Sequence, residues 1–260
     1  LDAPGKRGAI NLMTATLEEG SGDYDSQGFA AAQQALAAGF SFDVDDDALS
    51  VSARMLSDNR DKAVELLRGA LTDPHFDQAS LDRVRGQVLS ILAANAHDPQ
   101  AIAAEAFRKA AFGTHPYGSD PNGTVESVKA LTREDMFDAR ARVMTRDRMV
   151  VSAVGDITPE ELGPMLDRLL GALPATGAPM PPKAGVALKP GTTVIPFEGP
   201  QSIVLFGQRG LALDDPDYFP AMVFNQILGA GGFSSRLMDE LREKRGLTYG
   251  ISTALVPMDL

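Results

Sequence analysis

Residues 229–249, GAGGFSSRLMDELREKRGLTY, predict a glycine loop, a short helix and the start of a strand. Ser234 or Ser235 is a candidate N-cap, because a serine oxygen can accept hydrogen bonds from the free N–H groups of the first helical turn. Gly246 is suited to end the helix in a left-handed conformation. The rest of the chain is interpreted around this helix–turn–strand unit.

The side chains of this stretch fall into two groups. Phe233, Leu237 and Leu241 are four residues apart, and this spacing predicts one buried stripe. Arg242 on the helix and Tyr249 on the strand are expected to converge on one point. Taken alone, an arginine on a helix is usually solvated and a tyrosine at a strand start is usually core. Local sequence therefore favours a structural role for this pair over a binding role.

The amino-acid composition argues against several classes of function. The chain has 260 residues and a net charge of −11, which argues against a general binder of nucleic-acid backbone. It has no cysteine, which excludes disulfides and thiolate chemistry. No apolar run of about 18 residues is present, so no membrane-spanning helix is predicted.

The element order predicts an α+β fold. Helices are expected at 8–19, 25–38, 61–71, 80–94, 98–112, 132–145, 158–170 and 217–228, and strands at 40–44, 49–55, 148–154, 192–196, 201–207 and from 247. Residues 174–200 hold seven of the 17 prolines and are the predicted linker. The expected domains are 1–173, the linker 174–200, and a partial second domain, 201–260.

The sequence gives little support for a metal site or a phosphate-binding loop. His75, His97 and His115 are too widely spaced to predict a zinc site, which needs three or four converging ligands. The acidic run at 45–47 matches no calcium loop, and a solvated turn is favoured over a cation site. The glycines at 229–232 precede a helix but lack the lysine of a phosphate-binding loop.

The segment 237–252, LMDELREKRGLTYGIS, closely resembles the second αβ unit of the M16 zinc peptidases. In that family an arginine lies seven residues before a tyrosine, and the matching positions are Arg242 and Tyr249. FSSRL at 233–237, HPYG at 115–118 and VGDIT at 154–158 also look like the short, two-subunit bacterial branch. The resemblance implies two related M16-type αβ units, each a sheet covered by helices, with the second incomplete.

The catalytic motif of the family is missing. Where an active member has HxxEH, this chain has Asn11, Thr14 and Ala15 at the two histidines and the glutamate between them. The segment for the distal glutamate ligand is VLSIL at 88–92, without a glutamate. Two imidazoles and a carboxylate hold the zinc in the family, and a carboxylate base uses its water. No catalytic or metal-binding residue is therefore expected in this chain.

The resemblance implies the non-catalytic subunit of a heterodimeric zinc peptidase, inactive alone. Arg242 and Tyr249 would hold carbonyl or carboxylate groups of an unfolded peptide, and the zinc would be in the partner subunit. No nucleic-acid partner is expected. Two alternatives stay open: a purely structural M16-like protein and an independent enzyme of another class. Analogy favours the periplasm over the cytoplasm. The ends at Leu1 and Leu260 suggest a fragment or a processed product.

Overall fold

The computed structural model describes residues 1–260 and divides into two compact units. The first unit comprises Leu1–Ala187 and Gly191–Leu205, and the second comprises Leu188–Pro190 and Phe206–Leu260. Helices and short antiparallel strands make up the regular structure, which confirms the mixed α and β class. No helix has both the length and the apolar character needed to cross a membrane.

The first unit contains eight α-helices and two antiparallel strand pairs. In chain order these are α1 (Ala9–Thr14), β1 (Gly20–Ser21), β2 (Tyr24–Asp25), α2 (Ser26–Ala35), β3 (Gly39–Val44), β4 (Leu49–Arg54), α3 (Arg60–Thr72), α4 (Gln78–Asn95), α5 (Pro99–Phe112), α6 (Val125–Ala130), α7 (Arg133–Val143) and α8 (Pro159–Leu170). β1 pairs with β2, and β3 pairs with β4.

Helix α1 lies in the hydrophobic core of this unit. Leu12 and Met13 are fully buried, and they belong to one apolar cluster with Val64 and Leu67 of α3 and Leu81 of α4. α1 also packs against α7. Full burial of a large apolar side chain stabilises the fold by about 1.5–3 kcal/mol. The short helix therefore has a structural role whatever chemistry its polar side chains perform.

Several predicted helix starts are confirmed because their signals are local. The Thr132 hydroxyl accepts from the Asp135 N–H while the Asp135 carboxylate accepts from the Thr132 N–H, a complete capping box at α7. Thr158 and Glu161 form the same arrangement at α8. Asp98 caps α5, as expected from the proline that follows it.

The predicted hairpin is also confirmed, and contacts within the protein satisfy its acidic turn. The Asp45 carboxylate accepts the N–H groups of Asp47 and Ala48. Asp46 forms an ion pair with Arg108 of α5, at 2.6 Å between Nη2 and Oδ2. These contacts favour a structural turn over a cation site.

The strands predicted at 148–154, 192–196, 201–207 and from 247 are wrong. None of these segments pairs with another strand, and many of their large apolar side chains are exposed. Alternating apolar residues record a local preference for extended backbone, whereas a strand also needs a neighbour to satisfy its N–H and C=O groups. The observed sheets are small, with two strands each.

The second unit is built from short helical pieces. α9 (Tyr218–Asn225) continues into a π-helical turn, Gln226–Ala230, followed by a 3₁₀ turn, Gly232–Ser234. A second π-helical turn, Met238–Glu243, follows after two further helical residues. π-Helical turns are rare and frequently occur at functional sites.

Candidate functional site

The turn after the π-helical segment brings Tyr249 back towards Arg242. Gly246 has a φ of 61°, the predicted left-handed conformation. Its N–H donates to the Arg242 carbonyl at 3.0 Å, and the Leu247 N–H donates to the Leu241 carbonyl at 2.9 Å. These two bonds close the helical end and reverse the chain. The sequence Lys-Arg-Gly-Leu therefore sets where the tyrosine ring lies.

Arg242 lies against two aromatic rings. Its Cζ is 5.1 Å from the centroid of the Tyr249 ring and 4.6 Å from the centroid of the Phe233 ring. Both distances fall within the range of cation–π interactions. The structure thus brings Arg242 and Tyr249 together as predicted. We call these three residues the arginine–aromatic cluster.

The two rings of the cluster are open to solvent, whereas the Arg242 side chain is partly buried, at 27% exposure. Tyr249 is 84% exposed and Phe233 is 72% exposed. The one ionic contact of Arg242 is with Glu243, at 3.6 Å from Nε, and the arginine side chain makes no hydrogen bond. A planar guanidinium with free N–H groups can grip a carboxylate or a carbonyl oxygen, and a phenol can donate one further hydrogen bond.

The neighbouring cations have different surroundings from those of Arg242. The Lys244 ammonium lies 2.7 Å from carboxylate oxygens of both Asp239 and Glu240. Hydrogen bonds that the ammonium donates to Asp239, and then to Glu240, raise the pKa of Lys244. Arg245 lies 4.0 Å from Glu240. Of these three cations, Arg242 is the one that two aromatic rings orient.

Two local predictions here are wrong. Phe233 does not join a buried stripe, and neither serine caps the helix: the Ser234 hydroxyl donates to the Gly231 carbonyl, and the buried Ser235 hydroxyl has no partner. Gly232 has a φ of 62°, so the chain turns before Phe233 instead of continuing as helix. The adjacent Gly231 and Gly232 are the sequence feature that could have indicated that the helix does not extend back to Phe233.

At the positions of the lost catalytic motif, the polar groups are satisfied within the protein. The Asn11 amide donates to the Asn122 side-chain oxygen at 2.8 Å. The Thr14 hydroxyl donates to the Ile10 carbonyl at 2.8 Å within α1. Ala15 is exposed and offers only a methyl group. A carboxamide, a hydroxyl and a methyl do not fit zinc, which takes imidazole, thiolate and carboxylate ligands.

The segment expected to carry the distal ligand gives the same result. In α4 the Ser90 hydroxyl donates to the Gly86 carbonyl at 2.9 Å, and Leu89 packs against the core. No group of three or more His, Asp or Glu side chains is placed to hold a metal ion. His115 instead accepts from the Tyr117 N–H in the HPYG turn. The residues at the family's metal position therefore act as parts of the fold.

Comparisons with known proteins divide the chain in two. Residues 2–124 match the model of the insulinase family, peptidase family M16, and residues 130–257 match the model described as the peptidase M16 inactive domain. The solved M16 inactive-domain structure from Pseudomonas fluorescens superposes with a TM-score of 0.83 at 28% identity, covering 99% of this chain and 63% of that one.

Curated relatives extend the comparison. A protein of Helicobacter pylori named "Non-peptidase homolog YmxG" is 27% identical over 245 residues, 94% of this chain and 56% of that protein. An uncharacterized zinc protease of Mycobacterium leprae is 30% identical over 207 residues, 78% of this chain and 46% of that protein. The chain therefore spans about half the length of these relatives.

Proposed function

Because the chain belongs to the M16 peptidase family, as an inactive member of it, we propose that it is the non-catalytic subunit of a zinc metallopeptidase heterodimer. In this proposal it binds unfolded peptide and positions it beside the zinc site of its partner. The observation that carries the proposal is the Arg242 guanidinium, which lies against two rings and makes no side-chain hydrogen bond, next to Tyr249.

The two side chains suit this task for electrostatic reasons. A guanidinium grips an oxygen with two parallel N–H groups, and charge-assisted hydrogen bonds of this kind are stronger than neutral ones. The Tyr249 O–H adds a donor from a second direction. Donors fixed before the peptide arrives stabilise negative charge that develops on a carbonyl oxygen, without a cost of reorganisation during the reaction.

The partner supplies what this chain lacks. Zinc in a second M16 subunit would polarise the scissile carbonyl and provide the attacking water. This chain would orient the peptide, so that the attack of water on the carbonyl becomes an effectively unimolecular step. The exported, periplasmic setting stays part of the proposal, and the cytoplasm is the alternative.

Peptide cleavage by the complex tests this function. The full-length protein is purified with its zinc-bearing M16 partner, and kcat/KM is measured for an unfolded reporter peptide. Arg242→Ala is expected to lower kcat/KM by about tenfold to a hundredfold, the loss of a hydrogen bond to a charged group. Tyr249→Phe, which removes only the hydroxyl, is expected to lower it by about threefold to tenfold.

Arg245→Ala is the matched control. It removes the same side chain three residues away, at a position without aromatic contacts, and it is expected to leave kcat/KM unchanged. If Arg242→Ala and Arg245→Ala behave alike, the binding role of the cluster is wrong.

A second candidate is a purely structural M16-like protein. The name of the Helicobacter pylori relative, a non-peptidase homolog, and the internal hydrogen bonds of Asn11 and Thr14 favour it. A complex without any M16 peptidase activity, in which peptide gives the chain no protection from proteolysis, would support this candidate over the first.

A further inference from the structure

We propose that a cavity in the first unit is a binding site for a small organic carboxylate, which the terminal N–H groups of Arg142 hold. The cavity has a volume of about 230 Å³ and lies where the last turn of α7, the turn after α5 and the proline-rich linker meet. Its walls include Thr114, Pro116, Pro179 and Pro181. The inference does not rest on the proposed function, because the site contains no residue of the arginine–aromatic cluster.

The guanidinium of Arg142 keeps donors available in this cavity. Its Nε donates to the Leu1 carbonyl at 2.9 Å, whereas Nη1 and Nη2 make no hydrogen bond. The side chain is 29% exposed, and its one ionic neighbour, Asp138, lies 4.0 Å from Nε. Two parallel N–H groups of a guanidinium match the two oxygens of a carboxylate, and such charge-assisted pairs are among the stronger hydrogen bonds.

The other charged side chains that line the cavity neutralise each other. The Asp2 carboxylate accepts from Arg7 Nη1 at 3.1 Å and from two backbone N–H groups at the start of α1. Arg7 Nη2 donates to the Pro116 carbonyl at 3.2 Å, which fastens the turn after α5 to the residues before α1. An anion that enters the cavity therefore meets the charge of Arg142, which only the long contact with Asp138 offsets.

Hydrogen bonds to the first unit hold the proline-rich wall in place. On one side of residues 179–181, the Ala178 N–H donates to the Arg142 carbonyl at 3.0 Å. On the other side, the His115 Nε2 donates to the Pro182 carbonyl at 3.0 Å. Proline has no N–H group, so its ring presents apolar carbon to the cavity. The linker thus supplies a fixed apolar wall opposite the guanidinium donors.

A second cavity shows why volume alone does not identify a site. It has a similar volume, about 240 Å³, and lies between α3 and α8 with two arginines in its lining. Arg60 lies 3.7 Å from a carboxylate oxygen of Glu161, and Arg168 lies 3.2 Å from one of Asp61. Both of these cations are already paired within the chain. The unbonded Nη groups of Arg142 are therefore what distinguishes the proposed site.

The chemistry of the cavity defines the class of ligand. One guanidinium fork takes one carboxylate, and the Thr114 hydroxyl, which makes no hydrogen bond within the protein, can donate one more. The proline rings favour a short apolar tail over a second charge. Propionate combines these features and is the probe. Propionamide has the same shape without the charge, and inorganic phosphate has the charge without the tail.

Isothermal titration calorimetry of the full-length protein at constant ionic strength tests the site. Propionate is expected to bind at one site per chain with a Kd on the order of 1 mM, as for a very small ligand held by a few hydrogen bonds. Propionamide is expected to bind at least about tenfold more weakly, because it forms no charge-assisted pair with the guanidinium. Inorganic phosphate is also expected to bind more weakly than propionate.

Substitutions locate the binding at Arg142. Arg142→Ala is expected to weaken propionate binding by at least about tenfold. Arg142→Lys keeps the charge but not the planar fork and is expected to weaken it by about threefold, which provides a second reading if the alanine variant does not fold. Arg146→Ala is the matched control, since it removes an exposed arginine outside the cavity and should leave the affinity unchanged.

Three results overturn the inference. The first is an absence of saturable propionate binding, and the second is binding of propionamide or inorganic phosphate as tight as that of propionate. The third is a propionate affinity that both Arg142 variants retain. These measurements do not involve peptide cleavage, so failure of the carboxylate site and failure of the proposed function are distinguishable.

Discussion

The polar side chains of helix α1 are hydrogen-bonded within the chain, whereas the arginine of the arginine–aromatic cluster is not. In α1 the Asn11 amide and the Thr14 hydroxyl are bonded to atoms of the same chain. In the cluster the Arg242 side chain makes no hydrogen bond and lies among exposed rings. The first arrangement has nothing left to offer a ligand, whereas the second keeps its donors available.

This difference separates two regions of the chain by what their side chains can offer a ligand. At the metal position, the partly buried Asn11 and the buried Thr14 are hydrogen-bonded within the chain and contribute to stability. The cluster keeps an exposed aromatic surface that contributes little to folding, which is the pattern expected of a binding site. Substitutions at the two places should therefore affect different properties, namely stability in α1 and peptide binding in the cluster.

The largest expected effect is at the lost glutamate position. Thr14 is only 2% exposed, so Thr14→Glu places a carboxylate in the core without a partner. We expect a loss of about 3–5 kcal/mol in the free energy of unfolding, as for an uncompensated buried charge. Urea unfolding measures it, with the exposed neighbour Ala15→Glu as control, expected within about 0.5 kcal/mol of wild type. Equal stability of the two variants would contradict the burial of the Thr14 side chain in the core.

A smaller effect is expected at the turn that positions Tyr249. Gly246→Ala introduces a side chain at a φ of 61°, which costs about 1–2 kcal/mol and displaces the following strand-like segment. Peptide cleavage by the complex should fall together with thermal stability. Gly250→Ala is the control, since its φ is not positive and a β-carbon there meets no other atom. Unchanged cleavage with Gly246→Ala would show that the turn at Gly246 does not position Tyr249 for peptide binding.

The Asn11–Asn122 hydrogen bond tests the structural role of the first histidine position. Asn11→Ala is expected to lower the free energy of unfolding by about 0.5–1.5 kcal/mol, the net value of one hydrogen bond. Cleavage by the complex should stay the same. A double-mutant cycle with Asn122→Ala isolates the bond. A loss of cleavage without a loss of stability would instead place Asn11 in the binding machinery.

The smallest effect concerns acid stability. Hydrogen bonds, first from Arg148 and then from Thr145, lower the pKa of Asp147 to about 2. An aspartate in the unfolded chain titrates near 3.9, so the unfolded state binds the proton first. The stabilisation is complete above about pH 4 and disappears as the pH falls towards 2. Asp147→Asn should flatten the pH dependence of unfolding in this window, measured by denaturation at a series of pH values; an unchanged slope would contradict it.

Sequence reasoning succeeded where the signal was local. The capping boxes at Thr132 and Thr158 and the β3–β4 hairpin each depend on residues close in sequence, so their patterns specify them completely. The convergence of Arg242 and Tyr249 was also predictable, since a helical end and a short turn separate them.

The failures share a physical cause. Residues 148–154 and 201–207 have strand-like alternation, but pairing depends on a distant partner that alternation does not encode. The helical spacing wrongly predicts a buried stripe that includes Phe233, because the backbone turns at Gly232 and the helix does not extend back to that residue. The helical spacing therefore predicts burial for a ring that is 72% exposed in the structure.

The most direct test of the account is the affinity of the complex for peptide, separated from chemistry. The zinc-bearing partner is made inactive by substituting its catalytic glutamate, and the Kd of a fluorescent unfolded peptide is measured at equilibrium. We predict that Arg242→Ala raises Kd by about tenfold or more, through the loss of a charge-assisted hydrogen bond, while Arg245→Ala leaves it unchanged. An equal Kd for wild type and Arg242→Ala would contradict the claim that this chain binds the peptide through its arginine–aromatic cluster.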